Sequence, residues 1–302
     1  MSDQVWTLME ILKTAHRYLE EKGIESPRRN AEAMLGKVMG LARIDLYLQF
    51  DRPLSAEQVA AFRDLMRRRA RREPLQLILG AVEFCGVTLD VFPGLLIPRQ
   101  ETEELADWVA SEISKLPAGT PLRMLDIGSG TGCLSVAIAA RVPTLTVDAV
   151  DIDFEAVRCT SRNAEANGVG ERVQGILADV FSERFITLLS PPYDVMVSNP
   201  PYISESEFAG LDPEVRDHEA KHALVAADNG LAFYRKIAGL LPTLLRPDGL
   251  LAVEIGSTQG RAVAEILQPA LTSVSVRQDI AGLPRIVTGR LSLEQSSTIL
   301  MP

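Results

Sequence analysis

Between residues 122 and 255 the chain repeats one pattern, a short apolar run rich in Val, Ile and Leu followed by a longer segment of helical spacing. The runs 122–127, 145–150, 172–177, 194–198 and 250–255 read as strands with helical segments between them. Strands joined through helices must lie parallel, and a parallel sheet needs helices over both faces. The pattern therefore predicts an α/β domain with a doubly wound, mostly parallel sheet. Two further strand-like runs, 272–278 and 285–290, are separated only by residues 279–284, too few for a crossover helix. They predict an antiparallel hairpin at the edge, completing a seven-stranded sheet.

The part before this domain has a different period. Val5, Leu8, Leu12, Ala15 and Leu19 recur at helical spacing; Ser26-Pro27 offers an N-cap followed by Pro at the first helical position, and Gly40 a stop. Ser55 and Gln58 have capping-box spacing ahead of Val59, Phe62 and Met66, on a helix that should end before Pro74. Alternation on either side of Cys85-Gly86 predicts a short hairpin. The expected organisation is a helical bundle over 1–79, a β-hairpin connection over 80–97 and the α/β domain over 98–302.

Charge divides along the same line. Through Gly80 there are 14 Lys and Arg against 11 Asp and Glu, or +3; the remainder carries 17 against 29, or −12. A net charge of −9 argues against a protein that wraps a long nucleic acid, because phosphate neutralisation supplies most non-specific affinity. The one dense basic run, residues 67–72, reads either as a solvated helix face or as a contact for a protein partner or ribosomal RNA. Cys85, Cys133 and Cys159 are odd in number and far apart, which supports neither a disulfide framework nor a cysteine zinc site, so a reducing cytoplasm is expected. No basic stretch followed by an apolar run stands near residue 1, and no run is long enough to span a membrane.

Two loops carry the chemistry. Asp126-Ile127-Gly128-Ser129-Gly130-Thr131-Gly132 leaves the first strand and opens a helix, where glycines allow close backbone approach and the helix start offers free N–H groups. The spacing is Gly-x-Gly-x-Gly rather than the dinucleotide fingerprint Gly-x-Gly-x-x-Gly, which tilts away from NAD. Asp151 ends the next strand, where a carboxylate can accept from both ribose hydroxyls, and Asp179 follows the third, where it can take an adenine amino group beside Val180. Compatible groups at three successive strand ends point to an adenosine-bearing cofactor, and the set resembles the Rossmann-like S-adenosylmethionine-dependent methyltransferases.

The fourth strand runs into Asn199-Pro200-Pro201-Tyr202. The prolines fix φ and remove two donors, so the Pro200 carbonyl can face a cleft; the Asn199 oxygen supplies a second acceptor and Tyr202 a flat face. Such a loop can hold a planar NH₂ by both hydrogens, which localises the nitrogen lone pair. Asn199, Pro200 and Tyr202 are thus the candidate catalytic residues, with Pro201 completing the acceptor site. The tetrapeptide is characteristic of methyltransferases acting on planar exocyclic or amide nitrogens, and alone it does not separate adenine, guanine and glutamine.

Ile97-Pro98-Arg99-Gln100-Glu101-Thr102-Glu103, the acceptor tetrapeptide, Ala223-Leu224 with Asp228-Asn229-Gly230, Glu254-Ile255-Gly256, and Asp279, Gly282 and Arg285 together resemble the bacterial release factor glutamine methyltransferase (PrmC/HemK) family. The resemblance covers essentially the whole chain. It implies an N-terminal bundle that recognises the release factor, a β-hairpin connection, S-adenosylmethionine as cofactor, and methylation of the glutamine of the Gly-Gly-Gln loop in class 1 peptide-chain release factors, in the cytoplasm and without direct DNA binding. Carried over by position, Gly128, Ser129, Gly130, Thr131, Gly132, Asp151, Val180 and Asn199 would line the cofactor, with Asp179 beside them. The family usually has Pro at the position of Gln100 and often a large aromatic at that of Val180.

Other readings compete. His218-Glu219-Ala220-Lys221-His222 spells the helical zinc-protease motif, though only His16 remains as a further histidine and the segment lacks an apolar stripe. An N6-adenine DNA methyltransferase would share the acceptor loop but needs a basic recognition region that the −12 balance does not provide. A non-enzymatic binding module would not need the two loops side by side.

Overall fold

The computed structural model describes residues 5–292 and divides into two compact units. The first consists of residues up to Ala81 together with the segment Asp212–His218; the second consists of Val82–Leu211 and the residues from Glu219 onward.

The first unit is a bundle of α1 (Leu8–Glu21), α2 (Pro27–Met39), α3 (Arg43–Leu48), α4 (Ala56–Ala70) and α5 (Leu75–Leu79). The capping boxes at Thr7 with Glu10 and at Ser55 with Gln58 form, and Gly40 closes α2 through its N–H to the Gly36 carbonyl. Ser26 departs from its expected role. It sits at φ +48° and its side chain caps nothing. The chain there is tied down by buried Asn30, whose Nδ2 donates to the Glu25 and Ser26 carbonyls at 3.0 and 3.1 Å. Leu8, Leu19, Met34, Leu35, Leu46 and Phe62 fill the core. The short helices α3 and α5 were not expected, because they lack the length for a periodic signature.

Most of the basic run is used inside this unit. Arg67 pairs with Asp64, Arg68 with Glu73, and Arg69 and Arg72 with Glu214. Arg69 is 4 % exposed and fully engaged: Nε donates to Asn30 Oδ1, Nη1 to the Glu73 carbonyl and Nη2 to both oxygens of Glu214 at 2.9 Å. Four of the run's five arginines are thus paired with carboxylates of this unit.

The second unit begins with a hairpin, β1 (Ala81–Phe84) and β2 (Val87–Asp90), whose turn residues Cys85 and Gly86 both have positive φ. There follow α6 (Gln100–Ser114), β3 (Leu122–Ile127), α7 (Cys133–Arg141), β4 (Leu145–Asp151), α8 (Phe154–Ala166), β5 (Val173–Leu177) and β6 (Tyr193–Ser198). The short helices α9 (Glu205–Phe208), α10 (Pro213–Arg216), α11 (Lys221–Leu224) and α12 (Ala227–Gly230) come next, of which α10 lies in the first unit. The chain then forms α13 (Ala232–Leu244), β7 (Leu245–Glu254), α14 (Gly260–Leu267), β8 (Leu271–Gln278) and β9 (Pro284–Leu291).

The sheet has the order β5-β4-β3-β6-β7-β9-β8; the first five strands are parallel, and β9 runs antiparallel between β7 and β8. Alternate residues feed two cores. Met124 packs with Leu105, Val109 and Val136 of α6 and α7, while Leu125 and Ile127 pack with Tyr234, Ile237 and Val263 of α13 and α14. One expected helix is absent. Between β5 and β6 there is only a 3₁₀ turn, Ile186–Leu188. The segment forms successive tight turns instead: Ser182, Phe185, Thr187, Leu188 and Leu189 N–H donate to carbonyls three residues back. No helix among the described residues is long and apolar enough to cross a membrane.

Candidate active site

β3 and β6 are parallel neighbours, so the loops that leave their carboxyl ends stand side by side. A cavity of about 310 Å³ opens there, within the second unit. Its walls include Gly128, Ser129, Gly130, Thr131, Asp151, Asp179, Val180 and Asn199. Pro201 lines it as well; Gly132, Pro200 and Tyr202 belong to the same two loops but are not among its lining residues.

The glycine loop is held by backbone bonds and by side chains: Thr160 Oγ1 donates to the Gly130 carbonyl at 3.2 Å and Asn163 Nδ2 to the Thr131 carbonyl at 2.8 Å. Gly128 and Ser129 donate to the Val150 carbonyl at 2.8 and 3.0 Å, and Gly130 N–H donates to Asp151 Oδ2 at 2.9 Å. Asp151 Oδ1 accepts from Asp153 N–H. Burial raises the Asp151 carboxyl above its ordinary value, with the two N–H donors opposing. Gly132 is set by close approach: at φ +80°, an added Cβ would lie 3.0 Å from Thr160 Cα and Cγ2. Asp126 is 1 % exposed, and its Oδ2 accepts from Ser135. Its Oδ1 has no partner among the described residues, and burial lifts the carboxyl to about 7. Asp179 Oδ1 accepts from Phe181 N–H at 2.8 Å. Phe181 meets Phe233 edge to face at 5.0 Å on the cavity wall, beside the smaller Val180.

The acceptor loop is held by side chains from elsewhere. Asn199 Nδ2 donates to Thr102 Oγ1 of α6 at 3.0 Å, and Thr102 Oγ1 donates to Glu254 Oε2 of β7 at 2.7 Å. Tyr202 donates to Glu254 Oε1 at 3.4 Å, and burial raises its phenol well above the ordinary value. Gln259 Nε2 donates to the Tyr202 carbonyl at 2.9 Å while its Oε1 accepts from Gly256 N–H. Gly230 passes so near that an added Cβ would lie 2.0 Å from the Tyr202 oxygen. Asn199 Oδ1 and the Pro200 carbonyl accept no hydrogen bond among the described residues.

The flanking charges are largely structural. Arg99 pairs with buried Glu219, Glu103 accepts from Cys85 N–H, and Arg285 pairs with Asp279. The His-Glu-x-x-His string does not form a helix presenting two imidazoles: α11 starts only at Lys221, and Glu219 is occupied by Arg99. His222 instead approaches Asp153 at 3.5 Å on the cavity wall. Reading from sequence assigned no role to Thr102, Asp126, Gly230, Gln259, Phe181 or Phe233. Thr102 and Gly230 lie in stretches that carried the family resemblance, which was the available signal.

Comparison with known proteins agrees with this geometry. Residues 10–80 match the PrmC N-terminal domain and residues 110–216 the methyltransferase small domain. The hMettl16 catalytic domain shares the fold, with a TM-score of 0.54 and 18 % identity over 75 % of this chain and 81 % of that one. Release factor glutamine methyltransferases of Chlorobaculum tepidum and Geobacter sulfurreducens are each 39 % identical, over 94 % and 95 % of this chain and 97 % and 98 % of theirs. The human MTRF1L release factor glutamine methyltransferase is 34 % identical over 90 % of this chain and 84 % of its own. With near-complete coverage at these identities, and a glycine loop and an Asn-Pro-Pro-Tyr loop meeting in one cavity, the chain belongs to the release factor glutamine methyltransferase family and is an enzyme.

Proposed function

We propose that the chain transfers a methyl group from S-adenosylmethionine to the side-chain amide nitrogen, N5, of the glutamine in the Gly-Gly-Gln motif of class 1 peptide-chain release factors, in the cytoplasm. One observation carries this reading: two unengaged acceptors, Asn199 Oδ1 and the Pro200 carbonyl, belong to the loop that borders the glycine-loop cavity.

The cavity suits the cofactor. Orphaned Asp126 Oδ1 fits an ammonium group, Asp151 a ribose diol, and Asp179 with Val180 and Phe181 an adenine ring and its amino group. When bound, S-adenosylmethionine supplies an electrophilic methyl on a sulfonium. Asn199 Oδ1 and the Pro200 carbonyl accept the two amide hydrogens, and Tyr202 offers its ring to the flat group. Drawing on both hydrogens localises the lone pair that the amide otherwise shares with its carbonyl. The alkylated nitrogen then loses a proton to solvent, with no basic side chain required.

A pocket reading one amide cannot choose a glutamine among the many on protein surfaces. We assign that choice to residues 1–79 as the release-factor docking unit. On this unit Trp6, Ile11, Tyr18, Phe62 and Met66 line a groove of about 300 Å³ edged by Arg63 and Arg67. Tyr18→Ala with Arg63→Glu should raise the KM for release factor and leave cofactor affinity unchanged; an unchanged KM removes the groove from recognition.

Purified protein incubated with labelled S-adenosylmethionine, release factor and DNA in parallel tests the substrate. Label is expected in release factor alone. Label in DNA alone would favour the adenine-directed reading.

A further inference from the structure

The side-chain amide of asparagine is nearly symmetric in shape, with an acceptor at one end and donors at the other. For Asn199 the two orientations differ decisively. With Oδ1 toward the cavity it accepts a hydrogen from the substrate amide; with Nδ2 there, donors face donors and the substrate is repelled. Nothing in the acceptor tetrapeptide itself makes this choice.

We propose that Thr102 and Glu254 are positioning residues that fix the orientation of the Asn199 amide, and so present its oxygen to the substrate nitrogen. The inference rests on the reading of Asn199 as a substrate acceptor. A hydroxyl alone is ambiguous, since it has one proton and can either donate to the asparagine oxygen or accept from its nitrogen. Glu254 removes the ambiguity. Above about pH 7, where Glu254 is ionised, the carboxylate only accepts, so with Glu254 Oε2 at 2.7 Å the Thr102 proton is committed there, and Thr102 Oγ1 has only a lone pair left for Asn199. Asn199 must turn Nδ2 to Thr102, and Oδ1 is left for the cavity.

Thr102 and Glu254 are each 1 % exposed, so solvent cannot replace either link. They come from α6 and β7, two elements that pack on the loop after β6 without belonging to it. The same carboxylate also receives the Tyr202 hydroxyl, so it governs both ends of the tetrapeptide. The groups facing Glu254 are Thr102 and Glu101 from α6, Tyr202, and Arg285 from β9; Tyr234 of α13 bonds its backbone carbonyl.

The test is a double-mutant cycle read in turnover. Thr102→Val removes the hydroxyl at nearly constant shape and should lower kcat about 10- to 100-fold, as expected for loss of orientation at a reacting centre. Cofactor affinity and thermal unfolding are measured alongside. Thr102→Ser, which keeps the hydroxyl, should restore turnover to within about threefold. A residue acting only through the Asn199 amide has nothing to position once that amide is gone, so Thr102→Val added to Asn199→Ala should cost no further turnover. If Thr102→Val does not fold, Thr102→Ala carries the same cycle. A loss that persists undiminished in the Asn199→Ala background, or wild-type turnover in the Thr102 variant, overturns the positioning role. Wild-type turnover in Asn199→Ala alone would instead overturn the reading of the acceptor site on which it rests.

Discussion

The glycine loop and the acceptor loop leave adjacent strands of one sheet, yet they differ in how much of their support comes from backbone and how much from distant side chains. The first is fixed by its own N–H groups, which reach Val150 and Asp151 of the neighbouring strand, and by Thr160 and Asn163 of α8, which donate to the Gly130 and Thr131 carbonyls from 30 and 32 residues away. The second is fixed by Thr102, Glu254 and Gln259, which stand 97, 52 and 57 residues away from the loop residues they hold. A loop held by distant side chains depends on the whole domain, and its chemistry can be lost by changes at positions that never meet the substrate.

The sharpest way to separate the two is to remove an acceptor and leave the glycine loop intact. Asn199→Ala should lower turnover by on the order of 10²–10³, as for loss of one aligned polar group at a reacting centre, while calorimetric cofactor affinity stays within about twofold. A parallel fall in cofactor affinity would show that the loops are not energetically separate.

The anchor of the acceptor loop should also leave a mark on stability. Burial raises the Glu254 carboxyl from 4.5 to about 7, against the opposing effects of Thr102 and Arg285. Between these values the folded chain holds a proton that the unfolded chain releases. This contribution is therefore complete below about pH 4.5 and is lost as pH rises through about 7, worth up to roughly 3 kcal/mol. Glu254→Gln does not titrate, so the stability difference between wild type and variant should shift in favour of the variant from pH 4.5 to 7.5 in denaturant titrations. A constant difference over that range would mean that Glu254 is ionised throughout.

A smaller effect is expected from the opposite loop. Gly132→Ala places a methyl 3.0 Å from Thr160 in a left-handed conformation, and should weaken cofactor binding about tenfold by shifting the loop. Turnover at saturating cofactor should change little. If turnover falls while affinity holds, the division between the loops is misplaced.

The same contrast explains what the sequence could convey. The strands of the parallel sheet and the terminal hairpin were legible because apolar runs and connection lengths are local properties, and the capping box at Ser55 because its two partners stand three positions apart. Gly128 to Gly132 and the acceptor tetrapeptide could be recognised for the same reason. The roles of Thr102 and Gln259 were not legible, since their partners Asn199, Glu254 and the Tyr202 carbonyl come from other elements and are met only on folding. Asp212–His218 carries no mark that it joins the bundle, because Glu214 finds Arg69 only after folding. The helix expected between β5 and β6 is replaced by short three-residue turns, whose i→i+3 bonds leave no longer run of helical periodicity.

The most direct measurement of the proposed reaction is peptide mass spectrometry of a class 1 release factor after incubation with the protein and S-adenosylmethionine. The expected product carries a single added methyl on the side-chain amide of the Gly-Gly-Gln glutamine, and Asn199→Ala yields almost none in the same time. Methyl groups on another residue, or an unmodified release factor beside a cofactor-loaded enzyme, would contradict the assignment of the Asn199, Pro200 and Tyr202 loop to that amide.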